Sequence, residues 1–159
     1  MIHTTDAPSS GVQKVFRWLL GLTLAGTGIS HLTWARTEFQ AQVPRWVPMD
    51  PDRVVVLSGI VEVGLGAALV LLSRQRVAVG WIVAAFFVAV FPGNVSQYVH
   101  RVSAFGLNTD TARFVRLFFQ PVLVVWALWS TGACWGRRNR GRAHLSASAH
   151  DVRKSRHRS

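Results

Sequence analysis

The stretch RVVVLSGIVEVGLGAALVLL, Arg53 to Leu72, decides the fold class, because it is long enough to cross a bilayer and has no polar face. A span needs about 20 mostly apolar residues. From Val54 to Leu72 the only charged residue is Glu62, near the middle. Three further segments of similar length and character, Val12 to Leu32, Val77 to Val99 and Phe114 to Cys134, are apolar enough to join it. The expected fold class is all-α, an integral membrane four-helix bundle. Residues 12–136 form the membrane domain, 1–11 a polar N-terminal segment and 137–159 a basic tail without apolar periodicity, expected to be disordered.

The composition fits a bilayer as solvent. Half of the 159 residues are hydrophobic, seven are Trp and only seven are acidic, against 18 Lys and Arg. Cys134 is the only cysteine, which rules out an intrachain disulfide or dithiol relay. Lys14 and Arg17 before the first apolar run resemble the start of a secretory signal. That run is long and no small-x-small site follows it promptly, so it reads as a retained span.

Four spans put both termini on one side. Twelve of the 18 basic residues, including Lys14, Arg17, Arg74, Arg76 and eight in the tail, fall on that side. The positive-inside rule then places both termini in the cytoplasm of a bacterial inner membrane, with the chain multi-pass. Trp18, Trp34, Trp81, Trp126, Trp129 and Trp135 read as interfacial anchors. The first connection, WARTEFQAQVPRWVPMDPDR, reads as a segment on the outer surface, and SRQR as a tight turn. The tail next to a span end suits an anionic headgroup surface better than nucleic acid, which is not an expected partner.

Polar residues within the spans share a depth. Ser30 and His31 end the first; Ser58 and Glu62 open the second; Asn94 and Gln97 close the third; Arg113, Arg116 and Gln120 begin the fourth. Their i, i+3, i+4 and i+7 spacings put each set on one helical face, so they can converge on one outward-facing pocket. Pro92 and Pro121 remove backbone donors, free the carbonyls of Val88 and Leu117 and predict kinks beside that pocket. A charge inside a span costs about 2.5–3.5 kcal/mol on insertion scales, so Glu62 needs a partner. Depth ranks Arg116 first and His31 second. His31 is also a candidate general acid or base. His31 and His100 as axial haem ligands are a weak signal, and no cluster has metal-ligand spacing. Gly21, Ala25 and Gly28, with Ser58, Glu62 and Gly66, and Gly80 with Ala84, have the small-residue spacing that lets helices approach closely in lipid.

GISHL at 28–32, SGIVEVGLGAALVLL at 58–72, VFPGNV at 90–95 and RLFFQP at 116–121 together resemble the DoxX-like family of small bacterial membrane proteins, over roughly residues 15–132. The matching positions are Gly28 and His31, Ser58, Gly59 and Glu62, Phe91, Pro92 and Asn94, and Arg116 with Gln120. Gly93 stands where that family usually has alanine, and Phe118 where proline is expected. The resemblance implies a membrane subunit associated with quinone-linked oxidoreductase assemblies rather than a self-sufficient enzyme. Candidate ligand-binding residues are His31, Ser58, Glu62, Asn94, Arg116 and Gln120. A quinone is the cofactor to consider, with membrane oxidoreductase subunits or a second copy of the chain as partners. The alternatives are a small-solute or proton transport unit in which Glu62 cycles its charge, and a structural partner subunit in which Glu62 and Arg116 pin two helices together.

Overall fold

A computed structural model describes residues 9–102, 104 and 109–134. The N-terminal residues 1–8, Trp135 and the tail at 137–159 lie outside them. The described residues are helical, without strands: α1 (Gly11–Leu32), a short α2 (Arg36–Gln40), α3 (Pro51–Leu71), a 3-10 turn (Ser73–Gln75), α4 (Arg76–Val99) and α5 (Asp110–Ser130). Three regions are long and apolar enough to cross a membrane: α3, α4 with the turn before it, and α5. α1 is not among them; Gln13, Lys14, Arg17 and its threonines and glycines dilute its apolar residues.

Helix ends follow local capping rather than hydropathy. Ser10 and Gln13 form a reciprocal capping box, with Ser10 N donating to Gln13 Oε1 at 3.0 Å and Gln13 N to Ser10 Oγ at 3.2 Å. Asp50 caps α3, where Pro51 occupies the first turn, so this helix starts ahead of the apolar run. Thr109 caps α5 through the Ala112 amide at 3.2 Å. α5 stops at Ser130, short of the expected Cys134, where Gly132 takes a φ of 77° that only glycine adopts without strain. Pro92 and Pro121 both lie inside continuous helices.

α1 packs chiefly on α3, and α4 on α5, with the two pairs set against each other. The first pair is antiparallel and held together by glycines. A Cβ at Gly28 would come within 2.6 Å of the Gly59 carbonyl oxygen, and one at Gly66 within 2.5 Å of the Gly21 carbonyl oxygen. Backbone thus lies on backbone at two levels seven residues apart, the close approach expected of small residues in lipid. The apolar core, Leu20, Leu24, Leu69, Val79, Val83, Ala84, Phe87 and Ala127, fills the half of the molecule nearest the α3–α4 turn.

Outward-facing residues are mostly apolar, with Leu22, Leu57, Ile82 and Val125 each more than half exposed. Arg17, His31, Glu62, Asn94, Gln97, Arg113 and Gln120 are buried. A water-soluble domain has the opposite arrangement.

Candidate functional site

Beyond the core, and bordered by its members Leu20, Leu24 and Phe87, a cavity of about 330 Å³ opens between the helices. Each long helix contributes to its wall, and the α1–α3 connection covers one side through Phe39, Gln42, Val43, Pro44, Trp46 and Val47. His31, Ser58, Glu62, Asn94, Arg116 and Gln120 all line it. Four separate helical faces have been brought to one space.

The α1–α3 contact explains half of this. His31 Cβ would be 2.8 Å from a Cβ at Gly59, so the missing side chain lets the imidazole reach across to α3. Its Nδ1 then lies 3.1 Å from Ser58 Oγ and 3.8 Å from Glu62 Oε1. Ser58 Oγ also donates to the Val55 carbonyl at 2.9 Å. With its one proton spent there, the hydroxyl accepts from His31 Nδ1–H, which leaves Nε2 as the acceptor nitrogen. The group beside Glu62 is therefore His31, the second choice from depth, while Arg116 lines the cavity from α5.

α4 and α5 supply the other half. Asn94 Nδ2 donates to Gln120 Oε1 at 2.8 Å, and Gln120 Nε2 to the Phe87 carbonyl at 2.5 Å. The Phe87 carbonyl is the neighbour in sequence of Val88, whose carbonyl Pro92 leaves without its backbone donor. Three buried polar groups thereby satisfy one another across two helices.

Three of the polar residues that the sequence placed within apolar segments go elsewhere. Gln97 Nε2 and Arg113 Nε both reach the Val102 carbonyl, at 3.4 and 3.3 Å, and Arg113 Nη1 donates to Asp110 Oδ1 at 2.7 Å. They close the end of α4 onto the start of α5. Ser30 Oγ donates back to the Thr27 carbonyl at 2.6 Å. His100 caps its own helix through Ser96, away from the cavity.

The α1–α3 connection holds what the sequence left unread. Phe39 of α2 lies on His31, ring centroids 3.5 Å apart. Gly93 lets the connection close down, because a Cβ there would stand 2.9 Å from the Gln42 carbonyl oxygen. That contact is a physical reason for glycine at this position. Arg36 forms an ion pair with Asp52 of α3, and Gln40 Nε2 donates to Asp52 Oδ1 at 2.8 Å. The pair holds the Arg36 guanidinium above its ordinary pKa, chiefly through its hydrogen bond to Asp52. The sequence signal was present, a basic and an acidic residue flanking three prolines, but no periodicity joined them.

Of the five buried side-chain atoms without a hydrogen-bond partner among the described residues, two belong to arginines outside the cavity and three are His31 Nε2, Glu62 Oε2 and Gln42 Nε2. All three residues line the cavity. An unpartnered buried polar group costs about 1–3 kcal/mol, so three at one cavity mark a place where a ligand would be stabilising. The family model described as a domain of unknown function, DUF8561, matches residues 20–131. The chain belongs to the DUF8561 family. No curated protein and no solved structure matches it. The DUF8561 region contains every residue that lines the cavity, from Leu20 to Leu123.

Proposed function

We propose that this DUF8561 protein spans a bacterial inner membrane with four helices, both termini cytoplasmic, and binds a small redox-linked amphiphile, best matched by a quinone, in its outward-facing cavity. The observation that carries this reading is that three residues lining one cavity each hold a buried atom without a hydrogen-bond partner: an imidazole nitrogen, a carboxyl oxygen and an amide donor. A quinone oxygen accepts from Gln42 Nε2, and the corresponding quinol hydroxyl donates to His31 Nε2 or Glu62 Oε2. Both redox states of one ligand are thereby served, with Glu62 and His31 placed to move a proton at its oxygen. Leu20, Leu24, Phe86, Phe87 and Leu123 suit the ring face, and the cavity volume lies within the range of about 300–1,000 Å³ usual for small-molecule sites.

The DoxX-like resemblance supports the same class of ligand and a role as a subunit of a membrane oxidoreductase assembly, in which a partner supplies the electrons. The inside-out distribution of polar and apolar side chains supports α1 as the fourth span, since its outer face carries Val15, Leu19 and Leu22 and its buried face Arg17 and His31.

The test is mass spectrometry of small molecules retained by gently purified wild-type protein and by Glu62→Gln. A quinone enriched in wild type and lost from the variant is the expected result. An empty cavity in both, with only a change in stability, would overturn the binding role and leave Glu62 as a packing residue.

A further inference from the structure

At the end of the bundle away from the α1–α3 connection, SRQR turns α3 into α4, and the helical run that begins there is continuous from Ser73 to Val99. Its start has no acidic residue and no side-chain cap. Amides in the first turn of a helix have no acceptor within it, and the helix dipole adds positive charge there, which carboxylates commonly offset. Here Arg74 and Arg76 stand at that start instead, and Ser73 and Arg74 are exposed.

Arg17 comes to the same turn from α1. The antiparallel register that sets Gly28 on Gly59 and Gly21 on Gly66 carries Arg17, one helical turn before Gly21, to the end of α3. Its Nη2 donates to Ser73 Oγ at 3.0 Å, the residue is 3% exposed, and its Nε has no hydrogen-bond partner. No ion pair among the described residues includes Arg17, and the charge that bears on it is a second cation, Arg76. A buried charge is costly unless something compensates it. Cations that only fix the orientation of a chain in a membrane need no more than a surface position, so that role does not account for a guanidinium packed beneath a turn that carries two more.

We infer that the α3–α4 turn binds a phosphate group, carried by an anionic phospholipid or free in solution, on Ser73 Oγ and the first amides of the helix, with Arg17 beneath it and Arg74 and Arg76 beside it. Having accepted from Arg17, Ser73 Oγ keeps its own proton to donate to a phosphate oxygen. Arg17 acts through that hydroxyl, which it orients, and through its charge, which the anion offsets. Helix N-termini and guanidinium groups are the two commonest protein partners of phosphate, and here they meet at one turn. In the four-helix membrane reading this turn joins two spans at headgroup level, which favours a lipid as the carrier. The site shares no residue with the cavity, so it stands or falls independently of what binds at His31 and Glu62.

The experiment uses the full chain, freed of lipid in a neutral detergent, with three probes: dioleoyl phosphatidylglycerol, zwitterionic dioleoyl phosphatidylcholine and inorganic phosphate. Bound lipid is counted by native mass spectrometry, and phosphate is followed by its displacement of lipid and by the shift it causes in the unfolding midpoint. Arg17→Gln removes the buried charge, Ser73→Ala removes the hydroxyl from an exposed position, and a variant with Arg137, Arg138, Arg140 and Arg142 all changed to Gln removes charge from the tail. Wild type should hold one phosphatidylglycerol in preference to phosphatidylcholine. Arg17→Gln should weaken it about tenfold and Ser73→Ala about threefold, with the tail variant unchanged. Should Arg17→Gln fail to fold, Ser73→Ala decides the matter. Stabilisation of wild type by inorganic phosphate, with displacement of the lipid and loss of both effects in Ser73→Ala, would make soluble phosphate the ligand; lipid binding indifferent to inorganic phosphate would make it the phospholipid. Equal binding by wild type and both turn variants, loss in the tail variant alone, or binding of neither anion by wild type would each overturn the inference.

Discussion

The two halves of this molecule are built from the same helices under opposite rules. Near the α3–α4 turn, Leu20, Leu69, Val79, Val83 and Ala127 pack side chain against side chain, and they are almost fully buried. Toward the α1–α3 connection the same helices present His31, Glu62, Asn94 and Gln120 to one another around a cavity. Dispersion and close packing hold the first half. In the second half, hydrogen bonds across α4 and α5 hold the wall, and atoms on α1, α3 and the connection are left without partners. One half is close-packed and the other gathers polar groups around a cavity, and substitutions should separate them.

The largest effect should fall on the contact that serves both halves. Gly59→Val places a side chain against the Gly28 carbonyl oxygen and His31 Cβ, where even a Cβ lies at 2.9 and 2.8 Å. It should lower stability by about 3 kcal/mol and abolish ligand retention, read by thermal unfolding in detergent and by mass spectrometry. Retained stability would mean that α1 and α3 can separate without consequence. Leu69→Ala comes next: it leaves a void in the packed half and should cost about 2 kcal/mol while ligand retention stays at wild-type level. Loss of ligand at unchanged stability would erase the distinction between the halves.

Gln120→Leu removes the acceptor of Asn94 Nδ2 and the donor to the Phe87 carbonyl, so about 1–2 kcal/mol should go, together with much of the ligand affinity. Glu62→Gln keeps shape and volume, and its effect on the unfolding midpoint should stay below about 1 kcal/mol while binding is lost. A large destabilisation with binding intact would assign Glu62 to packing. The smallest effect belongs to Asp52→Asn, which loosens the hold on Arg36 at the surface. Stability should move by less than about 1 kcal/mol and ligand release should quicken by about twofold, measured by displacement kinetics.

Most of the second half was legible in the sequence because polar residues are conspicuous within long apolar runs. His31, Ser58, Glu62, Asn94, Arg116 and Gln120 stand out within apolar runs, and helical spacing with shared depth was enough to expect them around one space. The same argument included Gln97 and Arg113, which serve instead to join α4 to α5, since depth and spacing do not say whether a chain turn nearby will offer a carbonyl. Depth also ranked Arg116 above His31 as the neighbour of Glu62. The rank reverses because Gly28 and Gly59 draw α1 onto α3 more closely than an ordinary helix pair. The α1–α3 connection stayed unread for another reason: its residues carry no period, and Gln42, Phe39 and Asp52 acquire roles only when Gly93 lets the backbone settle over the cavity.

The sequence by itself determined that the chain is helical and which polar residues interrupt its apolar segments, because these follow from composition and period along one chain; it offered four candidate spans, of which three helices have the length and hydropathy to cross a membrane. Only the tertiary structure decided which of those polar groups become neighbours, which satisfy one another and which three are left unpartnered at a cavity. Those outcomes depend on helix-to-helix distance and on where a connection closes. Both are set by contacts between residues far apart in sequence, and no local pattern carries them.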